Sequence, residues 1–216
     1  MPKRLFVCLV AVAAISLSAK EAAASEFTFD CITNNKSADC SVLESQLSVK
    51  IESDGSTVDF TFTNVGGGAS SITDVYFQDL PPLLDETTVA FSGTGTVSFD
   101  DKCKPGDLPG GSGFTTTYCA DSNAPTQQNG VNPYESLTLS YSLLKDPATL
   151  QTYTLQDVLA AIGTGDFNIG IHVQGFSGGG SESAVLKSVP EPASLLLMSG
   201  GAVAAAFARR RRKTVA

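Results

Sequence analysis

Five cysteines, one histidine and a surplus of carboxylates are the residues of this 216-residue chain whose chemistry could matter. Cys8 sits inside an apolar run, and Val7 before it is not the small residue that lipid attachment wants. Cys31, Cys40, Cys103 and Cys119 remain. An even set in an exported domain reads as two disulfides, with three connectivities open; proximity favours Cys31 with Cys40 and Cys103 with Cys119. Zinc is the rival reading, but the chain has no Cys-x-x-Cys pair and a single histidine.

Catalysis finds little support in these residue types. By strand parity His172 shares a polar face with Asn168 and Gln174, which makes it a solvated strand residue. No Gly-x-Ser-x-Gly elbow is present to supply an activated serine. A glycosidase needs two apposed carboxylates, whereas Asp85-Glu86 and Asp100-Asp101 are adjacent, and neighbours on a strand point to opposite faces. No enzyme is expected. Loop carboxylates suit weak extracellular calcium better, with Asp100, Asp101 and Asp107 beside the 103–119 loop as candidates, although no Asp-x-Asp-x-Asp-Gly spacing supports them. No other metal or cofactor is expected. Sugar stacking would have to use tyrosines, since the chain has no Trp; Tyr118 and Tyr134, in expected loops, are the candidates.

Charge narrows the partners. Residues 25–189 hold 20 Asp or Glu against 6 Lys or Arg, a net charge of −14, while the whole chain carries −8. Most of the remaining basic residues sit at the two termini. An acidic body repels phosphate backbones, so nucleic acid is excluded as a partner.

The elements that would hold these residues are strands. Leu47, Val49 and Ile51 alternate with polar neighbours, as do Val58, Phe60 and Phe62, with Ser53-Asp54-Gly55-Ser56 between them as a hairpin turn. Leu137, Leu139, Tyr141 and Leu143 form a third run, and Phe167, Ile169, Ile171 and Val173 a fourth. Shorter candidates cover 27–32, 72–80, 88–91, 96–99 and 183–186. Each strand is expected to show one apolar and one polar face. One short helix follows Thr154, with Asp157 completing a capping box, Leu155, Val158, Leu159 and Ile162 on one stripe, and Gly163 as its stop. Gly178-Gly179-Gly180 reads equally as a linker or a hairpin turn. The fold class is all-β: a two-sheet antiparallel β-sandwich, jelly-roll or immunoglobulin-like.

Both ends read as address labels. Lys3 and Arg4, an apolar stretch over 5–17 and a small-residue site at Ala22-Ala23-Ala24 describe a signal peptide over 1–24, cut between Ala24 and Ser25 by signal peptidase. The exported domain would span 25–186, followed by a linker over 187–192. A transmembrane helix follows over 193–208, and a basic tail over 209–216 ends the chain. Sixteen helical residues reach ~24 Å, a marginal span. Arg209, Arg210, Arg211, Arg212 and Lys213 hold that end in the cytoplasm, which agrees with the leader in placing 25–189 outside.

The order Pro190-Glu191-Pro192, short helix, arginine cluster resembles the PEP-CTERM sorting signal, with no element missing. A sortase Leu-Pro-x-Thr-Gly box is absent, and five terminal cations fit poorly with a GPI signal. The run Gly170-Ile171-His172-Val173-Gln174-Gly175-Phe176 with Ser181-Glu182-Ser183 looks, more loosely, like the membrane-proximal end of other PEP-CTERM ectodomains, which bears on fold and not activity. The resemblance implies recognition by an exosortase of a Gram-negative bacterium and an inner-membrane-anchored precursor. The mature protein would then reach the cell surface or extracellular matrix. It further implies a structural or adhesive role linked to exopolysaccharide and biofilm. A glycan- or calcium-binding surface module is the first alternative and a secreted hydrolase the second.

Overall fold

The computed structural model describes residues 24–102 and 106–187. The expected leader up to residue 23, Cys103, the Pro190-Glu191-Pro192 motif, the 193–208 helix and the basic cluster lie outside the described residues. No helix among the described residues is long and apolar enough to cross a membrane.

Ten strands dominate the described residues: β1 (Ser25–Cys31), β2 (Leu47–Asp54), β3 (Thr57–Asn64), β4 (Ser71–Asp79), β5 (Leu84–Gly93), β6 (Phe99–Asp100), β7 (Tyr118–Ser122), β8 (Ser136–Leu143), β9 (Phe167–Gln174) and β10 (Ser181–Leu186). All pairings are antiparallel, in the order β5-β8-β3-β2-β1-β10-β9-β4-β7-β6. The ladder is therefore one continuous sheet, nearly barrel-like, and not two separate ones. The reason is β1: its first half pairs with β2 (Phe27 opposite Val49) and its second half with β10 (Phe29 opposite Leu186). One strand thus serves both halves, and the sheet folds across it.

Aromatic rings show the two halves meeting. Phe60 on β3 lies 5.2 Å edge-on from Phe77 on β4 and 5.8 Å from Phe167 on β9, and Tyr141 on β8 lies 5.4 Å from Phe77. Apolar side chains from both halves merge into one core that includes Phe29, Val49, Phe62, Leu139, Ile171 and Ala184.

The β2–β3 hairpin turns where the sequence placed it, with Gly55 at φ +69° in the left-handed region open to glycine. The triple glycine is a turn too, since β9 and β10 pair directly around it. Three corrections concern helices. There are three among the described residues: α1 (Ser37–Gln46), α2 (Thr126–Asn129) and α3 (Leu155–Thr164). α1 escapes detection because its buried residues Cys40, Leu43 and Gln46, on a helix that packs beside β1 and β10, do not make a continuous apolar stripe. α3 has the expected Thr154–Asp157 capping box but ends at Gly165, φ +84°, two residues beyond the expected stop. Among strands, β7 stands where a loop is expected at Tyr118, and the expected 96–99 strand shrinks to the two residues of β6.

The rule of one polar face per strand holds for β3 and β8, where burial alternates at every residue. It fails for β4, which is buried on both faces. The glycine-rich segment after residue 105 lies across the outside of this half: Leu108 and Phe114 pack against Tyr76, Cys119, Ile32 and Val185. Gly170 makes room for it, since a Cβ there would stand 2.6 Å from Leu108 Cδ2.

Candidate functional site

The polar side chains of the covered half fall into a line. Register places Ser183 opposite His172, His172 opposite Asp74, Asp74 opposite Asp121 and Asp121 opposite Asp100, one residue from each of β10, β9, β4, β7 and β6. A bulge makes this possible. Ile72 pairs with Val173 and Asp74 with His172, so Thr73 is the extra residue. A bulge re-aims the side chains that follow it; here Asp74 joins the outer face with Tyr76, while Val75 and Phe77 keep the core. The sequence signal was the broken alternation of Ile72, Val75 and Phe77.

This line is electrostatically tense. Asp74 is 5% exposed and takes a 2.7 Å bond from Thr73 Oγ1. Burial lifts its pKa above the ordinary carboxylate range, against the hydrogen bonds from Thr73 and Asp121. Burial and the Asp74 charge push Asp121 up to about 6. Tyr76, 1% exposed, has a hydroxyl with no partner among the described residues. Burial raises its pKa, and so do the charges of Asp74, Asp121 and Asp107. His172 is half-buried rather than solvated; its Nδ1 lies 3.0 Å from Ser183 Oγ, and burial lowers its pKa, partly offset by Glu182.

Two of the three calcium candidates lie beside this line. Asp100 faces Asp121 and holds Lys102 Nζ at 3.2 Å. Asp107 stands near Tyr76. Asp101 instead lines a cleft of about 380 Å³ with Glu86, Thr87, Tyr118 and Tyr141. Tyr118 is on β7 and not in a loop: it stacks on Phe77 at 5.0 Å and its hydroxyl donates to Asp79 Oδ2 at 3.2 Å. Tyr134, by contrast, is 76% exposed, with φ +69°, beside a groove of about 400 Å³ lined by Ser70, Gln127, Gln128 and Asn132.

Cys31 and Cys40 are joined as expected. Cys119 is disulfide-bonded as well, and its expected partner Cys103 is outside the described residues. The first disulfide stands beside Glu182, which is 1% exposed and accepts from Thr33 Oγ1 (2.6 Å), Asn35 N (2.9 Å) and Lys36 N (2.7 Å). Nothing in the residue pattern points to this role. Glu182 anchors the start of α1, where a negative charge meets free backbone N–H groups. Burial alone would raise its pKa; these bonds outweigh burial and hold it below the ordinary value.

The fold closes where the chain leaves it. Ser25, the expected first residue after cleavage, opens β1, and β10 ends at Leu186. Lys187 still donates its N–H to Thr28 O at 2.9 Å and pairs with Asp30 at 3.2 Å, so both ends of the domain are fixed side by side. A family model described as the PEP-CTERM protein-sorting motif matches residues 188–213, starting one residue later. This chain carries a PEP-CTERM sorting motif. The matched span includes Pro190, Glu191, Pro192 and the Arg209 to Lys213 cluster. Such a motif implies an extracellular protein sorted by an exosortase. No curated protein and no solved structure matches the chain.

Proposed function

We propose that the protein is a non-enzymatic surface or matrix component of a Gram-negative bacterium. A signal peptide cut between Ala24 and Ser25 exports it, a short helix over 193–208 anchors the precursor in the inner membrane, and an exosortase processes the tail. The body then serves a structural or adhesive role in an exopolysaccharide or biofilm matrix. The observation that carries this reading is the junction: the β-domain ends at Leu186 and the motif begins at 188. A sorting enzyme can therefore engage the tail without unfolding a strand. Proline disfavours a helical residue before it and cannot continue a helix, which suits a Pro-Glu-Pro leader to presentation as an accessible segment. Expression in hosts with and without an exosortase tests the proposal. Loss of surface delivery and retention of the intact tail are expected in the deletion strain; identical localisation and mass in both strains would refute it.

A second reading, glycan binding, is favoured by exposed Tyr134 beside the amide-rich groove of Gln127, Gln128 and Asn132. Amides and a phenol ring suit neutral sugars. Binding on a glycan array that Tyr134→Ala abolishes would support it, and a blank array would remove it.

A further inference from the structure

We propose that Asp74, Asp121 and the Tyr76 hydroxyl form a binding site for a hard divalent cation, of which calcium is the probe. Asp74 and Asp121 are opposite each other on neighbouring strands, with their carboxyl groups within hydrogen-bonding reach. Among the described residues, the ion pairs Lys50–Glu52, Lys102–Asp100 and Lys187–Asp30 leave both of them without a cation. With Asp74 buried and Asp121 half-buried, two carboxylates this close are costly unless a shared proton or a cation compensates them.

The independent sign of a ligand is Tyr76. Its hydroxyl is fully buried without a partner among the described residues, and it feels the charges of Asp74, Asp121 and Asp107. A buried hydroxyl usually finds a partner; a cation, or a water on that cation, supplies one from the direction of the carboxylates. The donors are all oxygens, which selects calcium or magnesium over softer metals. Two carboxylates and one phenol oxygen leave several positions for water, the pattern of weak sites suited to extracellular calcium levels. Bound there, the ion would lie beneath the segment carrying Asp107 and Leu108 and tie it to β4 and β7. This inference is independent of the sorting reading.

Thermal unfolding of the full-length protein at neutral pH tests it, in EDTA, in ~10 mM calcium chloride and in sodium chloride of equal ionic strength. Calcium should raise Tm by about 4 °C, the shift for a concentration near tenfold above Kd. Asp121→Asn should raise Tm in EDTA and abolish the calcium response. Tyr76→Phe, which deletes one unpartnered atom and leaves the packing alone, should fold normally and respond less than the parent. Asp54→Asn, in the exposed β2–β3 turn, should respond like the parent. The proposal is overturned if calcium does no more than sodium chloride, or if Asp121→Asn and Tyr76→Phe respond as fully as Asp54→Asn.

Discussion

The β5-β8-β3-β2 half and the β10-β9-β4-β7-β6 half contribute equally to the core but differ on their outer faces. The first half has polar residues that meet water, such as Thr61 and Thr138, whose hydroxyls lie 2.9 Å apart. The second carries the segment around Leu108 and Phe114 over Tyr76 and Cys119; there Asp74 and Ser183 are buried and His172 and Asp121 half-buried, so water satisfies them less readily. Scaffold and candidate chemistry are thereby divided. The uncovered half needs only alternation, whereas the covered half holds Asp74, Asp121, His172, Ser183 and the Tyr76 hydroxyl, which has no partner among the described residues.

The strongest test of their common core is Phe60→Ala. Phe60 is fully buried on β3 and touches Phe77, Tyr141 and Phe167, which span both halves. Its removal should cost about 4 kcal/mol, the usual range for a buried ring, measured by urea unfolding. A loss below about 1 kcal/mol would mean that the halves are not held together through this cluster.

Next in size is Glu182→Ala, at about 3 kcal/mol, because it removes the buried carboxylate that three part-buried donors share at the start of α1. The pH dependence has a definite sign. Glu182 is held below its ordinary value when folded, so its contribution is complete above the unfolded pKa near 4.3 and fades as pH falls through the folded value. Between pH 5 and pH 3 the parent should therefore lose more stability than Glu182→Gln. Equal losses would assign the acid sensitivity to other carboxylates. Hydrogen exchange should show α1 opening first in the variant.

The difference between the halves also explains what the sequence revealed. β2, β3 and β8 were legible because alternation reports a strand with water on one side; β9 was legible because Phe167, Ile169, Ile171 and Val173 keep the period of two although Gly170 lies against Leu108; and the α3 cap was legible because a capping box is a local pattern. β7 was hidden because Cys119 and Ala120 are buried on opposite faces, so Tyr118–Ser122 does not alternate. The Asp74 site was hidden because it depends on a bulge at Thr73 and on the register of three strands distant in sequence. Glu182 reads as a solvated carboxylate in a polar Ser-Glu-Ser run until Thr33, Asn35 and Lys36 are brought to it. The PEP-CTERM tail was readable for the opposite reason: its order of residue types is the signal, independent of any packing.

The smallest effects should come from matched hydroxyl deletions on the two outer faces. Thr138→Ala removes a cross-strand pair that water can replace, so it should cost about 0.5 kcal/mol. Ser183→Ala is chemically smaller, but Ser183 is fully buried and its oxygen is the partner of His172 Nδ1. Its deletion should cost about 1.5 kcal/mol, because the ring nitrogen is left unpaired in a half-buried place. The His172 pKa, followed by NMR titration, should move in Ser183→Ala and stay fixed in Thr138→Ala. Equal costs for both variants, with an unmoved His172, would mean that the outer face over β9 and β10 is wet. The contrast between the halves would then rest on the acidic pair alone.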